Sequence, residues 1–382
     1  MKIGIVVPFS WSFWGGVPEH ADHQARALSA RGHDVKIIIG HDPPGRLTKV
    51  LHPRAGRHER PPAYVIPVGR SVIVPANGSL SNIVLTPRSL GRIRTVLARE
   101  RFDLLHLHEP LTPVICTYAL VAADCPVVST SHAAGDSLRW YSIAKPVWGF
   151  LAERIDHKIA VSARARETAA RFLGEPVEVI PNGVVLPPSC ERYERLAHAV
   201  FIGRNDPRKG LPVLLRAWPS VARRTGARLR VVGADPLSVR WLMRRGGYEE
   251  QNVDLLGSIP EDVLTEELLR ARLVVAPSVG RESFGMVLTR AFGCGTPVVA
   301  SDIDGYRDVV GPETGILVPP GDVDALARAL VELLTNEERR RSLGEAGRRV
   351  AEERYAWRTI AGRLDAIYAG LVGGRAPSLV AA

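Results

Sequence analysis

Short apolar runs of strand length recur in two successive sets along this chain, each interleaved with helix-patterned segments. The first set is Ile3–Val7, Val35–Ile39, Leu104–Leu107, Val127–Thr130, Lys158–Val161 and Val177–Ile180. The second is Phe201–Gly203, Leu229–Val232, Val253–Leu256, Leu273–Ala276, Val298–Ala300 and Ile316–Val318. Strands that alternate with helices suit parallel sheets covered on both faces. The expected fold class is therefore α/β, with two Rossmann-like doubly wound domains. Such sheets bind ligands at the carboxyl ends of their strands, so two of them in one chain are expected to face each other across a cleft.

The Pro- and Gly-rich chemistry between the sets, Pro181-Asn-Gly followed by Pro187-Pro188-Ser189, predicts a domain boundary near residue 187. The expected division is 1–186 and 187–356, with a helix over 357–370 packing back on the first domain and a tail over 371–382. A chain of 382 residues suits two such cores. No apolar run approaches the roughly 18 residues of a spanning helix, and the run Ile3–Val7 is cut by Pro8 before it reaches signal-peptide length. Cys116, Cys125, Cys190 and Cys294 show no Cys-x-x-Cys spacing, which fits a reducing cytoplasm rather than a disulfide framework.

The charge balance of 50 basic against 40 acidic residues gives +10, which points to an anionic partner, although Arg-rich coding bias explains it equally well. Lysine occurs only at positions 2, 36, 49, 145, 158 and 209, so Lys209 within Gly203-Arg204-Asn205-Asp206-Pro207-Arg208-Lys209-Gly210 stands out. That stretch follows the first strand of the second set and precedes a helix, where a diphosphate binds in such folds. Guanidinium groups and a compact ammonium there also stabilise negative charge developing on a leaving diphosphate. A solvated basic turn is the competing reading. Gly280-Arg281-Glu282-Ser283-Phe284-Gly285 follows the strand Leu273–Ala276 and is expected to open a helix running to about Phe292. Its first-turn N–H groups form an anion site beside a carboxylate able to accept sugar hydroxyls; the alternative is an acid that merely complements the helix dipole. Neither a P-loop nor Gly-x-Gly-x-x-Gly occurs, which weighs against an ATPase and a dehydrogenase.

Gly15-Gly16-Val17, His106-Leu-His108-Glu109-Pro110, Ile159-Ala-Val-Ser162, Ile180-Pro-Asn-Gly-Val184, Gly203-Arg204 with Lys209-Gly210, Glu282-Ser-Phe-Gly285 and Gly295-Thr-Pro-Val-Val-Ala-Ser301 occur in order. Over residues 1 to about 370 this series resembles the retaining GT-B glycosyltransferases of the glycogen-synthase and mannosyltransferase-like group. Within the group it is most similar to the actinobacterial phosphatidylinositol mannosyltransferases, which share Pro75-Ala-Asn77-Gly78-Ser79. The resemblance implies a nucleotide diphosphate sugar as donor, GDP-mannose before others, and no required cofactor. It implies that Arg204 and Lys209 bind the donor diphosphate and that Glu282 contacts the sugar. Ser283, Phe284, Gly285 and Arg290 complete the donor site, and His132 touches the sugar near the reacting carbon. Gly15, Gly16, Asn77, Gly78 and Ser79 are implied on the acceptor side, with Gly16 where donor and acceptor meet. The two domains are expected to close on the donor. For His132 the bland alternative is a capped or exposed histidine at a strand end.

The sequence departs from the family at three places. Arg290 stands where the family carries a second glutamate that accepts ribose hydroxyls; the family's lysine is missing after His132, in Ala133-Ala-Gly-Asp136-Ser137; and Pro18 replaces a glutamine. A helix starting near Ser283 would put Glu282 and Arg290 on one face, and Arg290→Glu would then tighten weak, salt-sensitive donor binding. His106 and His108 share one face of a strand, but no third ligand is recognisable nearby, so no metal is expected. A helix is predicted from Thr86-Pro87, with Thr at the cap and Pro at the first position. It carries an apolar arc of Leu90, Ile93, Val96 and Leu97 bordered by Arg88, Arg92, Arg94 and Arg99. That pattern fits either an anionic membrane surface or an ordinary sheet-covering helix. The leading expectation is hexose transfer to a phosphatidylinositol-type lipid by a cytoplasmic protein, peripheral at the inner face of the cell membrane. A soluble inositol phosphate or sugar acceptor is the first alternative, and a binding protein that has lost catalysis is the second. Aromatic residues are sparse around the Arg-rich stretches, so nucleic acid is not an expected partner.

Overall fold

The computed structural model describes residues 1–52, 60–76, 79–133, 145–188, 190, 192–280 and 282–374. They divide into two compact units, Met1–Gly183 joined by the segment from Trp357, and Val184–Ala356.

In the first unit the strands β1 (Lys2–Ser10), β2 (Asp34–Gly40), β3 (Val65–Gly69), β6 (Leu104–His108), β7 (Val127–Ser131), β8 (His157–Ala160) and β9 (Glu178–Val179) pair in the order β3-β2-β1-β6-β7-β8-β9, all parallel. A hairpin of β4 (Val72–Ala76) and β5 (Ser79–Ile83) joins β1 through the pair Phe9 and Ile83. The second unit is a six-stranded parallel sheet of β10 (Leu196–Ile202), β11 (Arg228–Val232), β12 (Val253–Gly257), β13 (Ala271–Ala276), β14 (Val298–Ser301) and β15 (Gly315–Val318), in the order β12-β11-β10-β13-β14-β15. In both sheets the first strand lies inside, so the winding reverses beside β1 and beside β10.

Two cores hold these layers. Ile3, Ile5, Val7, Ile37, Leu104 and Val128 are buried with Ala21, Ala25 and Leu28 of the helix Gly16–Ser29 and with Ile360, Leu364 and Tyr368 of the last helix. In the second unit Phe201, Val231, Val275 and Val299 pack with Leu214, Trp218 and Leu330. The last helix thus belongs to the first unit by its apolar face. His106 fixes it from below: the ring bonds Tyr368 Oη through Nδ1 and Thr130 Oγ1 through Nε2, the latter at 2.7 Å, and Gln24 Nε2 donates to the same Tyr368 oxygen at 3.0 Å.

Several boundaries differ from expectation. The units part at Gly183 and Val184, because a parallel bridge from Val184 to Ala356, with Val184 N donating to Tyr355 O at 2.7 Å, ties the entering chain to the leaving one. The last helix runs Trp357–Gly374, so residues 371–374 are helical rather than tail. The first helix, expected from about Pro18 to Ala30, runs Gly16–Ser29 with extended Gly15 as its cap residue. Pro87 is the cap residue of the helix Arg88–Glu100, and the Thr86 hydroxyl bonds Ser89 Oγ at 2.7 Å instead of capping.

Gly210, between β10 and the helix Leu211–Thr225, has φ +70°, and a Cβ there would collide with the carbonyl of Pro277. Both the left-handed backbone and the close approach demand glycine. Gly210→Ala should cost about 1–3 kcal/mol or more of second-unit stability and lower the thermal unfolding midpoint. An unchanged midpoint would show that the loop does not pack on Pro277.

Candidate functional site: a charged loop cluster and a buried imidazole cluster

In the second unit the loops leaving β10 and β13 lie side by side because those strands are neighbours. Asp206 caps the single 3-10 turn Pro207–Lys209 by accepting from Arg208 N at 3.0 Å, and the same carboxylate takes the Arg208 guanidinium at 2.6 Å. That pairing holds the Asp206 carboxyl below its usual range. Val279 N donates to Arg208 O at 2.8 Å and pins the two loops together. Lys209 Nζ then meets Glu282 Oε1 at 2.9 Å, both side chains mostly buried. Arg204 is exposed on the same loop. The structure therefore joins Lys209 to Glu282, while Arg208 engages its own loop's carboxylate.

The helix expected from Ser283 begins only at Met286 and ends at Gly293. Gly285 is left-handed at φ +91°, where a Cβ would fall on the Tyr306 ring, and it stops the helix from extending backward. Glu282, Ser283 and Phe284 consequently lie in the preceding loop; Arg281 is outside the described residues. Phe284 is 4% exposed and meets Tyr355 edge to face, so its side chain is an interior anchor rather than a ligand contact. Gly305 backs the Glu282 carbonyl, where any Cβ would clash, and Tyr306 Oη bonds Ser278 Oγ at 2.8 Å. Tyr306 was not singled out from sequence; burial raises its phenol strongly, and the nearby Glu282 carboxylate adds to the shift. Arg290 does not share a helical face with Glu282. Its guanidinium pairs with Glu261 at 3.4 Å.

In the first unit Gly15 and Gly16 are exposed at the start of the helix Gly16–Ser29. His132 follows β7. Glu109, held at φ +54°, accepts from the backbone N–H groups of His132 at 2.7 Å and Ala133 at 2.8 Å. His132 Nε2 and His108 Nδ1 share a hydrogen bond of 2.9 Å. Burial pushes the His132 ring down to about 3 and His106 equally to about 3, and lowers His20 and His108 strongly. The four rings are thus neutral at pH 7. Burial raises the Glu109 carboxyl, against the two backbone bonds that favour its charge.

His106 and His108 do stack on one face of β6, with centroids 4.9 Å apart. The expectation that no third ligand lies near them is corrected: nitrogens of His20, His108 and His132 lie within 4.8 Å of one another. His20 was hidden because it comes from the first helix, on a different element from both partners. Asn77, Gly78 and the stretch with Asp136 and Ser137 lie outside the described residues, and Ser79 is placed only by its backbone pairing with Ala76.

On the helix Arg88–Glu100, Arg88, Arg92, Arg94 and Arg99 are exposed. Ile93 and Val96 are buried, on the side packed against the helix Ile115–Ala122 and β3, so the centre of the apolar arc faces the fold, and the four arginines share the solvent-facing side with Gly91, Thr95 and Ala98. Among the described residues no helix is long and apolar enough to cross a membrane.

The family model described as Glycosyltransferase Family 4 matches residues 14–186, and Glycosyl transferases group 1 matches residues 197–336. The phosphatidyl-myo-inositol mannosyltransferase of Mycobacterium leprae is 36% identical over 96% of each chain. That of Mycolicibacterium smegmatis is 33% identical over 98% of this chain and 95% of its own. Among solved structures, sucrose-phosphate synthase from Thermosynechococcus elongatus superposes with a TM-score of 0.72 at 21% identity, covering 98% of this chain and 100% of that one. Anabaena HepE in complex with UDP gives 0.70 at 21% identity, over 97% of this chain and 100% of its own. The chain belongs to the glycosyltransferase family that contains the phosphatidyl-myo-inositol mannosyltransferases, and it is a hexosyltransferase of GT-B fold.

Proposed function

We propose that the protein moves mannose from GDP-mannose to a phosphatidylinositol-type lipid, with retention at the anomeric carbon, as a peripheral protein at the inner face of the cell membrane. The observation that carries the reading is the Lys209–Glu282 pair beside Arg204, at the carboxyl ends of two adjacent strands. The names of the curated relatives supply the sugar and the acceptor class.

In this reading Lys209 and Arg204 neutralise charge appearing on the departing diphosphate, and no metal is required for that task. Glu282, positioned by its contact with Lys209, accepts from sugar hydroxyls. His132, neutral, serves as a hydrogen-bonding group at the sugar rather than as a cation. The bond from the anomeric carbon to the phosphate oxygen breaks as the acceptor hydroxyl attacks the same face, and the released phosphate oxygen takes the hydroxyl proton. Donor binding is assigned to the second unit and acceptor binding to the first. Arg88, Arg92, Arg94 and Arg99 supply the attraction to anionic lipid, about 1 kcal/mol for each basic residue near such a surface.

Labelled GDP-mannose incubated with vesicles containing phosphatidylinositol should give a mannosylated lipid. Transfer only to free inositol phosphate would establish the soluble-acceptor reading, and binding without transfer would establish a catalytically silent homologue. Lys209→Ala should lower kcat roughly 10²-fold or more with the fold retained; wild-type turnover would remove Lys209 from the reaction.

The Glu261 contact changes what is expected of Arg290. Arg290→Glu alone sets two carboxylates against each other, so the variant expected to tighten donor binding is Arg290→Glu with Glu261→Gln. Calorimetry should rank the double variant above the single one, and the reverse order would make Arg290 a direct donor ligand.

The neutral histidines fix the sign of a pH effect. Their folded pKa values lie below the unfolded value of about 6.5, so below that pH the unfolded chain binds more protons. Their contribution to stability is complete above pH 6.5 and is lost as pH falls towards about 3. Denaturant midpoints should therefore fall between pH 6.5 and 4.5, and His132→Asn should reduce that slope. An unchanged slope would place the His132 ring in solvent.

A further inference from the structure

We propose that His20, His108 and His132 form a binding site for a zinc-class divalent cation, and that its occupation withdraws His132 from hexose transfer. The second clause rests on the function proposed above; the site itself does not.

The geometry is that of a three-imidazole zinc site. Zinc–nitrogen bonds of about 2.0–2.1 Å in a tetrahedron separate the three ring centroids by roughly 5 Å. The observed separations are 5.3 Å for His20 and His108, 5.0 Å for His20 and His132, and 5.1 Å for His108 and His132. One nitrogen from each ring lies within 4.8 Å of the other two. His20 is 6% exposed and His108 is fully buried, while His132 is half-buried.

A second observation points to an occupant. His20 Nδ1 is a buried ring nitrogen without a hydrogen-bond partner among the described residues; His108 Nε2 is another, but the His108 atom that faces the triangle is Nδ1. A buried imidazole nitrogen is ordinarily satisfied. The single contact inside the triangle, His108 Nδ1 to His132 Nε2 at 2.9 Å, holds one shared proton. Tetrahedral ligation would widen that gap only by a few tenths of an ångström. The proton would shift to the other nitrogen of its ring, so binding to the neutral rings releases none.

The donor set selects the metal class. Three imidazoles suit zinc, cobalt, nickel or copper, whereas magnesium and calcium require oxygen ligands. Glu109 is not an available ligand through Oε1, since that oxygen already accepts from the His132 and Ala133 backbone. Three protein ligands leave a fourth position open for water or another small ligand, the pattern of a catalytic or inhibitory site and not of a closed structural one.

The test uses the full chain, stripped with a chelator and titrated with zinc against a chromophoric zinc indicator. One zinc per chain should bind, and X-ray absorption at the zinc edge should show an imidazole nitrogen shell. His20→Gln and His108→Gln should each weaken binding at least ~100-fold, beyond the 10–100-fold typical of losing an outer-shell partner. His157→Gln, on β8 outside the triangle, should leave it unchanged. Should either buried variant fail to fold, the absorption spectrum of the wild type decides alone. No zinc retained, a shell of thiolate sulfur, or unaltered affinity in folded His20→Gln and His108→Gln would overturn the site. Zinc at site-saturating concentration should abolish mannosyl transfer and chelator should restore it. Zinc bound without inhibition would overturn the withdrawal of His132. A chain that binds zinc as described but transfers no hexose, stripped or loaded, would overturn the proposed function and leave the site standing.

Discussion

Parallel pairing of strands is the constraint on which the rest of this molecule depends. Parallel neighbours cannot be joined by a tight turn, so each connection crosses back through a helix and every strand releases its chain at the same edge of its sheet. With β10 between β11 and β13, the loops bearing Lys209 and Glu282 emerge together. With β6 between β1 and β7, His108 and His132 do the same. None of these meetings is local in sequence. Gly210, Gly285 and Gly305 are small because the loops approach each other so closely that a side chain would fall on a neighbour's backbone or ring.

The two units solve opposite electrostatic problems. The second sets its acidic and basic side chains in pairs: Lys209 with Glu282, Arg208 with Asp206, Arg290 with Glu261. Such pairs near the surface contribute little stability each, but they fix where each group stands on its loop. The first unit buries its polar groups uncharged. Four histidines stand within a few ångströms of one another there, and desolvation together with mutual repulsion of their protonated forms keeps them neutral. A neutral ring can donate and accept hydrogen bonds or ligate a metal, and it changes little with pH above its unfolded value.

The sequence was legible where one residue type answers one physical need. Strand-length apolar runs marked the sheets, and Lys209 stood out by scarcity. It was opaque where a distant neighbour decides. Glu282 and Ser283 read as the start of a helix, but the ring of Tyr306 and a left-handed Gly285 place that start at Met286. Arg290 read as a lone cation beside the ligand, and only the fold brings Glu261 to it. The arginine-flanked helix at Arg88 showed its amphipathic pattern correctly; what the pattern could not say is that the buried centre of its apolar arc faces the fold. His20 carries no motif at all, and its place beside His108 and His132 follows from the crossover of the first helix.

The central claim is that the charged loops of the second unit bind a nucleotide diphosphate sugar. Calorimetric titration of the full chain with GDP-mannose, UDP-glucose and ADP-glucose, at two salt concentrations, tests it most directly. The account predicts saturable binding with GDP-mannose strongest, weakened by salt. Failure of all three nucleotide sugars to bind, at either salt concentration, would contradict it.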